Sequence, residues 1–188
     1  MPRGSSSIIR NPSLSIRLLR DDDTDYRLLA KWLTDERVLE FYEGRDNPHD
    51  LDKVRERYGP QGRGEAIPCI LEWQGRPIGY MQFYALIEEG KAEYAVESIE
   101  GVYGMDLFIG EPEHWDKGIG TQAVLLLVRY LFETLGARQM VIDPHVSNLR
   151  AIRSYEKAGF RKVKVLPKHE WHEGEYRDCW LMVRDPVR

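Results

Sequence analysis

The chain has 188 residues, a length that fits one domain comfortably and two only with strain. A domain of this size buries roughly 70% of its unfolded surface, so it supports a core without metals or disulfides. The net charge is -4. That balance argues against nucleic acid or an anionic membrane as the main partner, because both need a clustered basic surface, but it is compatible with a cationic substrate.

Two cysteines, Cys69 and Cys179, lie far apart and show no metal-ligand spacing. They predict buried thiols in a reducing cytosol more readily than a disulfide. The first twelve residues lack the apolar core of a signal peptide, and no run reaches the length of a membrane span, so we expect a cytoplasmic protein. Residues 1–14 are predicted to be a disordered tail or a cloning remnant, and residues 15–188 a single domain.

The first half of the chain predicts a strand, two helices and a hairpin. Ser15–Arg20 alternates apolar and polar residues, as a strand does. The acidic cluster Asp21–Asp25 offers side chains that cap a helix, which continues to Leu33 at helical spacing. A second helix is predicted at Asp50–Tyr58. Two strands joined by a short connection then follow, at Ala66–Trp73 and Pro77–Tyr84.

In the second half, the glutamate-rich stretch Glu88–Glu100 is expected to lack regular structure, and strands then alternate with helices. The predicted elements are a strand at Val102–Ile109, a helix at Gly118–Leu135, a strand at Gln139–Asp143, a helix at Ser147–Ala158, and strands at Phe160–Leu166 and Tyr176–Val183. No internal repeat or linker separates two cores. This order predicts a single α+β domain whose central, mostly antiparallel mixed sheet is flanked by helices.

The segment Trp115–Thr121, WDKGIGT, stands between a predicted buried strand and the long helix. Gly118 and Gly120 let the backbone approach a ligand, and the free N–H groups of the first helical turn form an anion site suited to a pyrophosphate. A Rossmann fingerprint should follow its strand directly, which this segment does not, and no P-loop motif is present. A glycine-rich helix start without a ligand is the remaining alternative.

The segment Asp143–Phe160 is the most specific stretch of the sequence. A predicted strand ends at Asp143, and Ser147 or Asn148 caps the helix that follows. Tyr155 lies on that helix. By itself it is either a core aromatic residue whose hydroxyl is satisfied locally or a functional phenol.

Both segments resemble signatures of the GNAT acetyltransferase superfamily. The glycine turn is similar to its acyl-CoA pyrophosphate loop, Q/R-x-x-G-x-G/A, with Trp115 where Gln or Arg is usual, and N-x-x-A-x-x-x-Y-E-K-x-G-F is its second signature. The resemblance implies that Asn148 holds the pantetheine arm and that Tyr155 protonates the departing thiolate as general acid. It also implies that acetyl-CoA is the donor and is bound by Phe108, Trp115, Lys117, Gly118, Ile119, Gly120, Thr121 and Asn148.

The resemblance extends over nearly all of residues 16 to 184 to one subgroup, the aminoglycoside 6'-N-acetyltransferases, including the acetylating half of the bifunctional acetyl/phosphotransferase. It implies an aminoglycoside antibiotic as acceptor, with resistance as the result. The stretches that carry it are Lys31–Tyr42, Pro77–Tyr80, Val102–Gly110, Asp143–His145, His169–Gly174 and Asp178–Cys179.

Asp106 lies inside an otherwise apolar strand, where a carboxylate is expensive to bury without a partner or a purpose. A structural ion pair with lysine or arginine is one explanation. The resemblance implies another: Asp106 receives the substrate amine and acts as general base, while the backbone around Phe108 binds the thioester oxygen. It likewise makes Asp143 a second substrate-binding carboxylate, against a turn or capping role, and places Tyr42 and Tyr58 at the aminosugar.

Two further features leave alternatives open. The glutamates of Glu88–Glu100 form either an acidic wall for a polycationic substrate or a solvated loop. His169–His172 superficially suggests a metal site, but its spacing is not H-E-x-x-H and no third ligand is evident. We therefore expect no metal and predict a polar loop in which Trp171 is packed.

Two other functions share the expected cofactor site. One is a GNAT enzyme that acetylates a protein N-terminus or a siderophore precursor. The other is a sensor that binds coenzyme A without catalysis, against which the presence of Asp106 and Tyr155 argues. The sequence leaves the oligomeric state open.

Overall fold

The computed structural model describes residues 7–94 and 96–187, with only the backbone of residues 92 and 93. Among these residues, eight strands form one sheet with the spatial order β1-β2-β3-β4-β5-β6-β8-β7. The strands are β1 Ser7–Arg10, β2 Leu14–Leu18, β3 Ile67–Trp73, β4 Arg76–Ala85, β5 Val102–Ile109, β6 Gln139–Ile142, β7 Arg161–His172 and β8 Glu175–Arg184. The α-helices are α1 Asp23–Trp32, α2 Glu36–Leu39, α3 Leu51–Tyr58, α4 Glu88–Tyr94, α5 Ile119–Glu133 and α6 Leu149–Lys157.

Neighbouring strands of the sheet run antiparallel except for β5 and β6, which run parallel. The parallel pair is short, joining Val102–Gly104 to Gln139–Val141. Because β5 continues beside β4 as far as Ile109, the sheet opens between β5 and β6 into a wedge. The predicted mostly antiparallel, mixed α+β sheet is confirmed.

Helices cover both faces of the sheet. On one face, α5 and α6 pack over a core that contains Met105 and Leu127. On the other face, α1 to α3 cover a second core that contains Tyr80 and Phe108. Since side chains alternate along a strand, Asp106 lies on the same face as Phe108 and is aimed toward the layer of α1 to α3. No helix of the described residues has the length and apolar character needed to cross a membrane.

Several local predictions hold. Asp22, from the predicted acidic cluster, caps α1 by accepting from two backbone amides of its first turn. Asp50 caps α3 by accepting from the Lys53 amide. Cys69 and Cys179 are buried and form no disulfide, as expected.

The predicted tail of residues 1–14 is wrong in its boundary. Ser7–Arg10 form β1, which pairs antiparallel with β2, while residues 1–6 lie outside the described residues. Ile8 and Ile9 pack against the core. A four-residue strand is too short to show an alternating pattern, so only its tertiary contacts reveal it.

The prediction for Glu88–Glu100 is wrong in its first half, which forms α4. Tyr94 is buried in a third apolar cluster with Leu86, Val141 and Leu181. Burial of this aromatic residue anchors a segment whose glutamate content, taken alone, is typical of a solvated loop. Tertiary packing therefore decides the helix.

The predicted polar loop at His169–His172 is also wrong, since this segment is the end of β7. The register between β7 and β8 shifts between Leu166 and Glu170, and Lys168 has a left-handed φ of 49°. This irregularity breaks the alternation that would have marked a long strand. Trp171 is 60% exposed and contacts Tyr176 edge-on rather than lying in a packed loop.

A buried ion pair joins β2 to α1. Arg17 is 2% exposed and Asp25 fully buried, and their nearest charged atoms are 2.5 Å apart. Arg17 also binds Glu72 at 2.7 Å, and the backbone amide of Arg20 donates to Asp25 at 2.8 Å. Burial alone would raise the pKa of Asp25, but the bonds from Arg17 and Arg20 outweigh it and lower that pKa.

We expect Arg17→Ala to destabilise the fold by about 3–5 kcal/mol, because it leaves the buried carboxylate of Asp25 without its main partner. Urea unfolding monitored by circular dichroism measures the loss. Arg27→Ala is the matched control, since the pair of Arg27 with Asp23 is exposed and is worth about 0–1 kcal/mol. Equal losses in the two variants would contradict the assignment.

Candidate active site

The wedge between β5 and β6 opens into a cavity of about 950 Å³. It runs from the N-terminus of α5, past α6, to the segment after α2 and the end of β7. The structure brings most of the predicted site residues to its wall, namely Tyr42, Asp106, Phe108, Trp115, Gly118, Ile119, Gly120, Thr121, Asp143, Asn148 and Tyr155. Lys117 and Tyr58 do not line it.

The N-terminus of α5 forms one end of the cavity. Gly118 is the N-cap with a left-handed φ of 74°, and no side chain caps the helix. The first intrahelical bond there runs from Gln122 to the Gly118 carbonyl, so the amides of Ile119, Gly120 and Thr121 belong to the turn without intrahelical acceptors. A Cβ atom at Gly118 would meet no atom within 4 Å, which shows open space above the turn. This end suits an anion.

Three cations on α6 lie beside that turn. Arg150, Arg153 and Lys157 line the cavity at spacings of three and four residues, which places them along one side of the helix. The guanidinium of Arg150 lies 3.9 Å from the ring centroid of Trp115, whose indole N–H donates to the Ile109 carbonyl at 2.8 Å. Trp115 therefore holds a cation at the cavity, at the position where the GNAT motif of the sequence analysis has Gln or Arg. These three residues were not predicted from the sequence, although their helical spacing was visible.

Tyr58 and Lys117 have other surroundings than expected. Lys117 is exposed outside the cavity wall. Tyr58 is 4% exposed, packs edge-on against Tyr80, and directs its hydroxyl to Glu43 at 3.3 Å. Tyr58 thus supports a wall residue instead of forming the wall.

Asn148 is the N-cap of α6. Its side-chain oxygen accepts from the Ala151 amide at 3.2 Å, which decides between the two capping candidates that the sequence offered. Within the described residues its side-chain nitrogen makes no hydrogen bond, so this group is available to donate to a carbonyl in the cavity. Capping and ligand binding are thereby compatible in one side chain.

Tyr155 on α6 is 6% exposed. Burial first, and then the nearby charges of Asp106 and Asp143, raise its pKa well above the ordinary value for tyrosine. The phenol is therefore protonated at neutral pH, as a general acid must be.

Asp106 lies on β5 just beyond the last residue that pairs with β6. The side-chain amide of Gln82 donates to its carboxylate at 2.7 Å. Burial, assisted by the charges of Asp143, Glu170 and Glu43, raises the pKa of Asp106 to about 7, although the bond from Gln82 lowers it. In the described part of the chain no lysine or arginine pairs with this carboxylate, so the structural ion pair is not the explanation.

The backbone of β5 supplies donors to the wedge. The amide of Gly110 donates to the Ile78 carbonyl on β4, and bonded positions alternate along an antiparallel pair. The amide of Phe108 therefore faces β4, whereas the amides of Leu107 and Ile109 face the wedge. Around Phe108, where donors for the thioester oxygen were expected from the sequence, the amides that face the wedge are therefore those of Leu107 and Ile109, and Phe108 contributes its ring to the wall.

The other end of the cavity is acidic, but its carboxylates do not come from Glu88–Glu100, the stretch considered for this role in the sequence. Glu88, Glu89, Glu97 and Glu100 do not line it, and the side chain of Glu93 lies outside the described ones. Apart from Asp116, which precedes the turn at the start of α5, the carboxylates that line the cavity come from four other segments and are Glu43, Asp46, Asp106, Asp143, Glu170 and Glu173. Four of these, Glu43, Asp46, Glu170 and Glu173, were missed because no local pattern shows that distant segments meet here.

Asp143 is positioned by side chains from two distant elements. Its carboxylate accepts from the Tyr94 hydroxyl at 3.0 Å and lies 2.7 Å from Nε2 of His169. Hydrogen bonds from α4 and β7 orient this carboxylate at the cavity wall. An aspartate that only forms a turn would not need these two bonds.

The family model for the Acetyltransferase (GNAT) domain matches residues 21–167. The chain belongs to the GNAT acetyltransferase family. As a GNAT acetyltransferase it is an enzyme that uses acetyl-CoA as donor. The anion site at α5 and the α6 cap suit an anionic donor, and the acidic end suits a cationic acceptor.

Relatives of this GNAT chain act on different acceptors. Aminoglycoside N(6')-acetyltransferase type 1 of Klebsiella pneumoniae is 35% identical over 158 residues, covering 83% of this chain and 79% of that protein. An N-alpha-acetyltransferase of Sulfurisphaera tokodaii is 38% identical over 119 residues, covering 63% and 68%. The structure of AAC(6')-Ib in complex with ribostamycin and coenzyme A matches with a TM-score of 0.77 and 31% identity, over 92% of this chain and 93% of that one.

The two roles of Asn148 can be separated by substitution. Asn148→Asp keeps a capping oxygen but lacks the N–H donor, so we expect stability within about 0.5 kcal/mol of wild type and up to about tenfold weaker acetyl-CoA binding. Asn148→Ala should lose about 1 kcal/mol of stability as well. Urea unfolding and isothermal titration with acetyl-CoA measure the two effects. Undiminished binding in the Asp variant would remove the donor role.

Proposed function

We propose that this GNAT enzyme transfers the acetyl group of acetyl-CoA directly to the 6'-amine of an aminoglycoside antibiotic and so confers resistance. The observation that carries the proposal is the acidic end of the cavity. Four of its carboxylates form no ion pair with lysine or arginine within the described residues, and they are Asp46, Asp106, Asp143 and Glu170.

Several carboxylates are needed for such an acceptor. An exposed ion pair is worth about 0–1 kcal/mol, whereas micromolar affinity requires about 8 kcal/mol. One carboxylate therefore cannot hold a polycationic sugar, but four placed around one partly enclosed space can bind several ammonium groups together. The substrates named for the Klebsiella relative and for the AAC(6')-Ib complex have this character and support the proposal.

At the donor end, acetyl-CoA supplies an activated acyl carbonyl when it is bound. The amides of the first turn of α5 and the cations of α6 are arranged to hold its phosphates. Asn148 donates to its amide-containing arm. The wedge-facing amides of Leu107 and Ile109 donate to the thioester oxygen and stabilise the negative charge that develops there.

At the acceptor end, Asp106 attracts the ammonium group and takes its proton, because an amine must be neutral before its lone pair can attack. A carboxylate with a pKa of about 7 is deprotonated often enough to accept that proton and basic enough to hold it. Tyr155 donates its phenolic proton to the departing thiolate. The acetyl group passes directly between substrates, since neither Cys69 nor Cys179 lines the cavity.

The alternative acceptor is the α-amine of a protein N-terminus, which the Sulfurisphaera relative's name supports. A peptide N-terminus carries one reacting ammonium group, and a single carboxylate, that of Asp106, is enough to bind it. The three further carboxylates that lack a lysine or arginine partner among the described residues favour the polycationic acceptor over it. Because both cysteines are free thiols, we also propose that the enzyme acts in the cytoplasm.

The first test is release of thiol from acetyl-CoA by the purified chain with kanamycin. We expect turnover by wild type, a loss of about 100-fold or more in Asp106→Asn, and wild-type rates in the exposed control Asp52→Asn. A variant that retains turnover would remove Asp106 from its role. A chain that acetylates a peptide N-terminus but no aminoglycoside would replace the proposed acceptor.

The pH dependence of kcat/KM for the amine tests the environment of Asp106. The base must be deprotonated, so the rate should rise with pH through about 7. Gln82→Leu removes the bond that favours the carboxylate and should move the inflection upward, whereas Glu170→Gln removes a repulsive charge and should move it downward. Titration of the acceptor is common to all three enzymes, so coincident inflections would contradict this origin.

A further inference from the structure

A group of side chains beside the acceptor end takes no part in the reaction described above. His145 follows β6, while Glu170 and His172 lie at the end of β7, and one ligand atom of each lies within 4.8 Å of the other two. The bridge between His145 and Cys179 on β8 brings the segment after β6 next to the β7–β8 pair. His145 is thus the third ligand that was not evident in the sequence, because it is distant along the chain from Glu170 and His172.

The two imidazoles are buried and close together. His145 is 6% and His172 4% exposed, and their ring centroids are 4.6 Å apart. Nε2 of His145 lies 2.9 Å from the carboxylate of Glu170. Nε2 of His172 lies 2.9 Å from the Glu40 carbonyl, which can only accept, so this nitrogen carries the proton and Nδ1 keeps its lone pair. A backbone carbonyl that orients one ring nitrogen is typical of metal-ligating histidines.

We propose that His145, Glu170 and His172 bind a divalent transition metal of the zinc class, and that this ion antagonises the acceptor. Two imidazoles and one carboxylate are a set that Zn²⁺ prefers, with solvent in the fourth position. Glu170 is half-exposed and lines the cavity, so the ion has an entry path and an open side toward the acceptor end.

The geometry requires a small closure. Bonds of about 2.0–2.1 Å in a tetrahedral site place ligand atoms roughly 3.3 Å apart. His145 and Glu170 are already closer than that, and rotation of the half-exposed Glu170 side chain brings its other oxygen or the ion toward His172. A metal bound at Nε2 of His145 takes the place of the hydrogen bond to Glu170, and the imidazole then carries its one proton on Nδ1.

The consequence for the enzyme follows from charge and rests on the proposed function. Glu170 is one of the four carboxylates of the acceptor end that have no lysine or arginine partner among the described residues, and its charge acts on Asp106. An ion held by Glu170 uses this carboxylate and places positive charge where ammonium groups must bind. The donor end lies at α5 and α6, so binding of acetyl-CoA should not change.

Metal binding is tested without any substrate. Zn²⁺ is titrated into metal-free protein against a chromophoric chelator, and we expect one ion per chain, at least tenfold weaker binding in Glu170→Gln and a similar or larger loss in His172→Ala. His169→Ala is the matched control, because this histidine lies on the same strand but binds Asp143, and its affinity for zinc should equal that of wild type. Thermal melts confirm that each variant is folded.

Affinities that are equal in wild type, Glu170→Gln and His172→Ala would overturn the site, as would a loss confined to His169→Ala. Glu170→Gln keeps the test decisive if His172→Ala does not fold, since Glu170 is half-exposed. In kinetics at buffered free zinc, the KM of the amine should rise at least threefold and that of acetyl-CoA should stay constant. An unchanged KM for the amine would overturn the antagonism. A chain that binds zinc but acetylates no aminoglycoside would refute the proposed function and leave the metal site standing.

Discussion

β5 and β6 pair over only three residues each, and the arrangement of the site depends on the point where they separate. Beyond that point the wedge-facing amides of β5 have no strand partner in β6, although buried backbone groups are costly to leave unsatisfied. These amides of β5 therefore favour the binding of a polar ligand whose carbonyl groups can accept their hydrogen bonds. Asp106 is two residues past the last paired position, and this places the base beside the same gap on the opposite face from the core of α5.

The cavity that results is divided by charge. Cations of α6 and the amides of α5 occupy one end, and carboxylates from four segments occupy the other, so the modest net charge of the chain conceals two local fields of opposite sign. This division suits an anionic donor at one end and a cationic acceptor at the other, as the proposed function requires. Burial first, and then the same crowding of carboxylates, raise the pKa of Asp106, so the surroundings of this carboxylate make it a stronger base.

What the sequence could reveal follows from the range of each interaction. The cap at Asn148, the glycine at Gly118 and the buried carboxylate at Asp106 are local signals, and each was found at its position. Glu43 and Glu170 were missed because only the meeting of distant segments makes them neighbours of Asp106. The glutamates of α4 were visible in composition, but composition does not tell which side of the sheet a helix covers. The length of β7 was hidden by its own irregularity before Glu170.

Not all carboxylates of the acceptor end are equivalent. Glu43 pairs with Arg57 and Glu173 with Arg45, so each of these two charges is partly offset within the protein. Glu170 contacts His145 instead. This contact is lost when either the imidazole or the carboxylate binds a stronger partner. How strongly the acidic end attracts an ammonium group therefore depends on Glu170, because an ammonium group and a divalent ion compete for its oxygen atoms. Asp106 is affected by either occupant, since the charge at Glu170 contributes to its raised pKa.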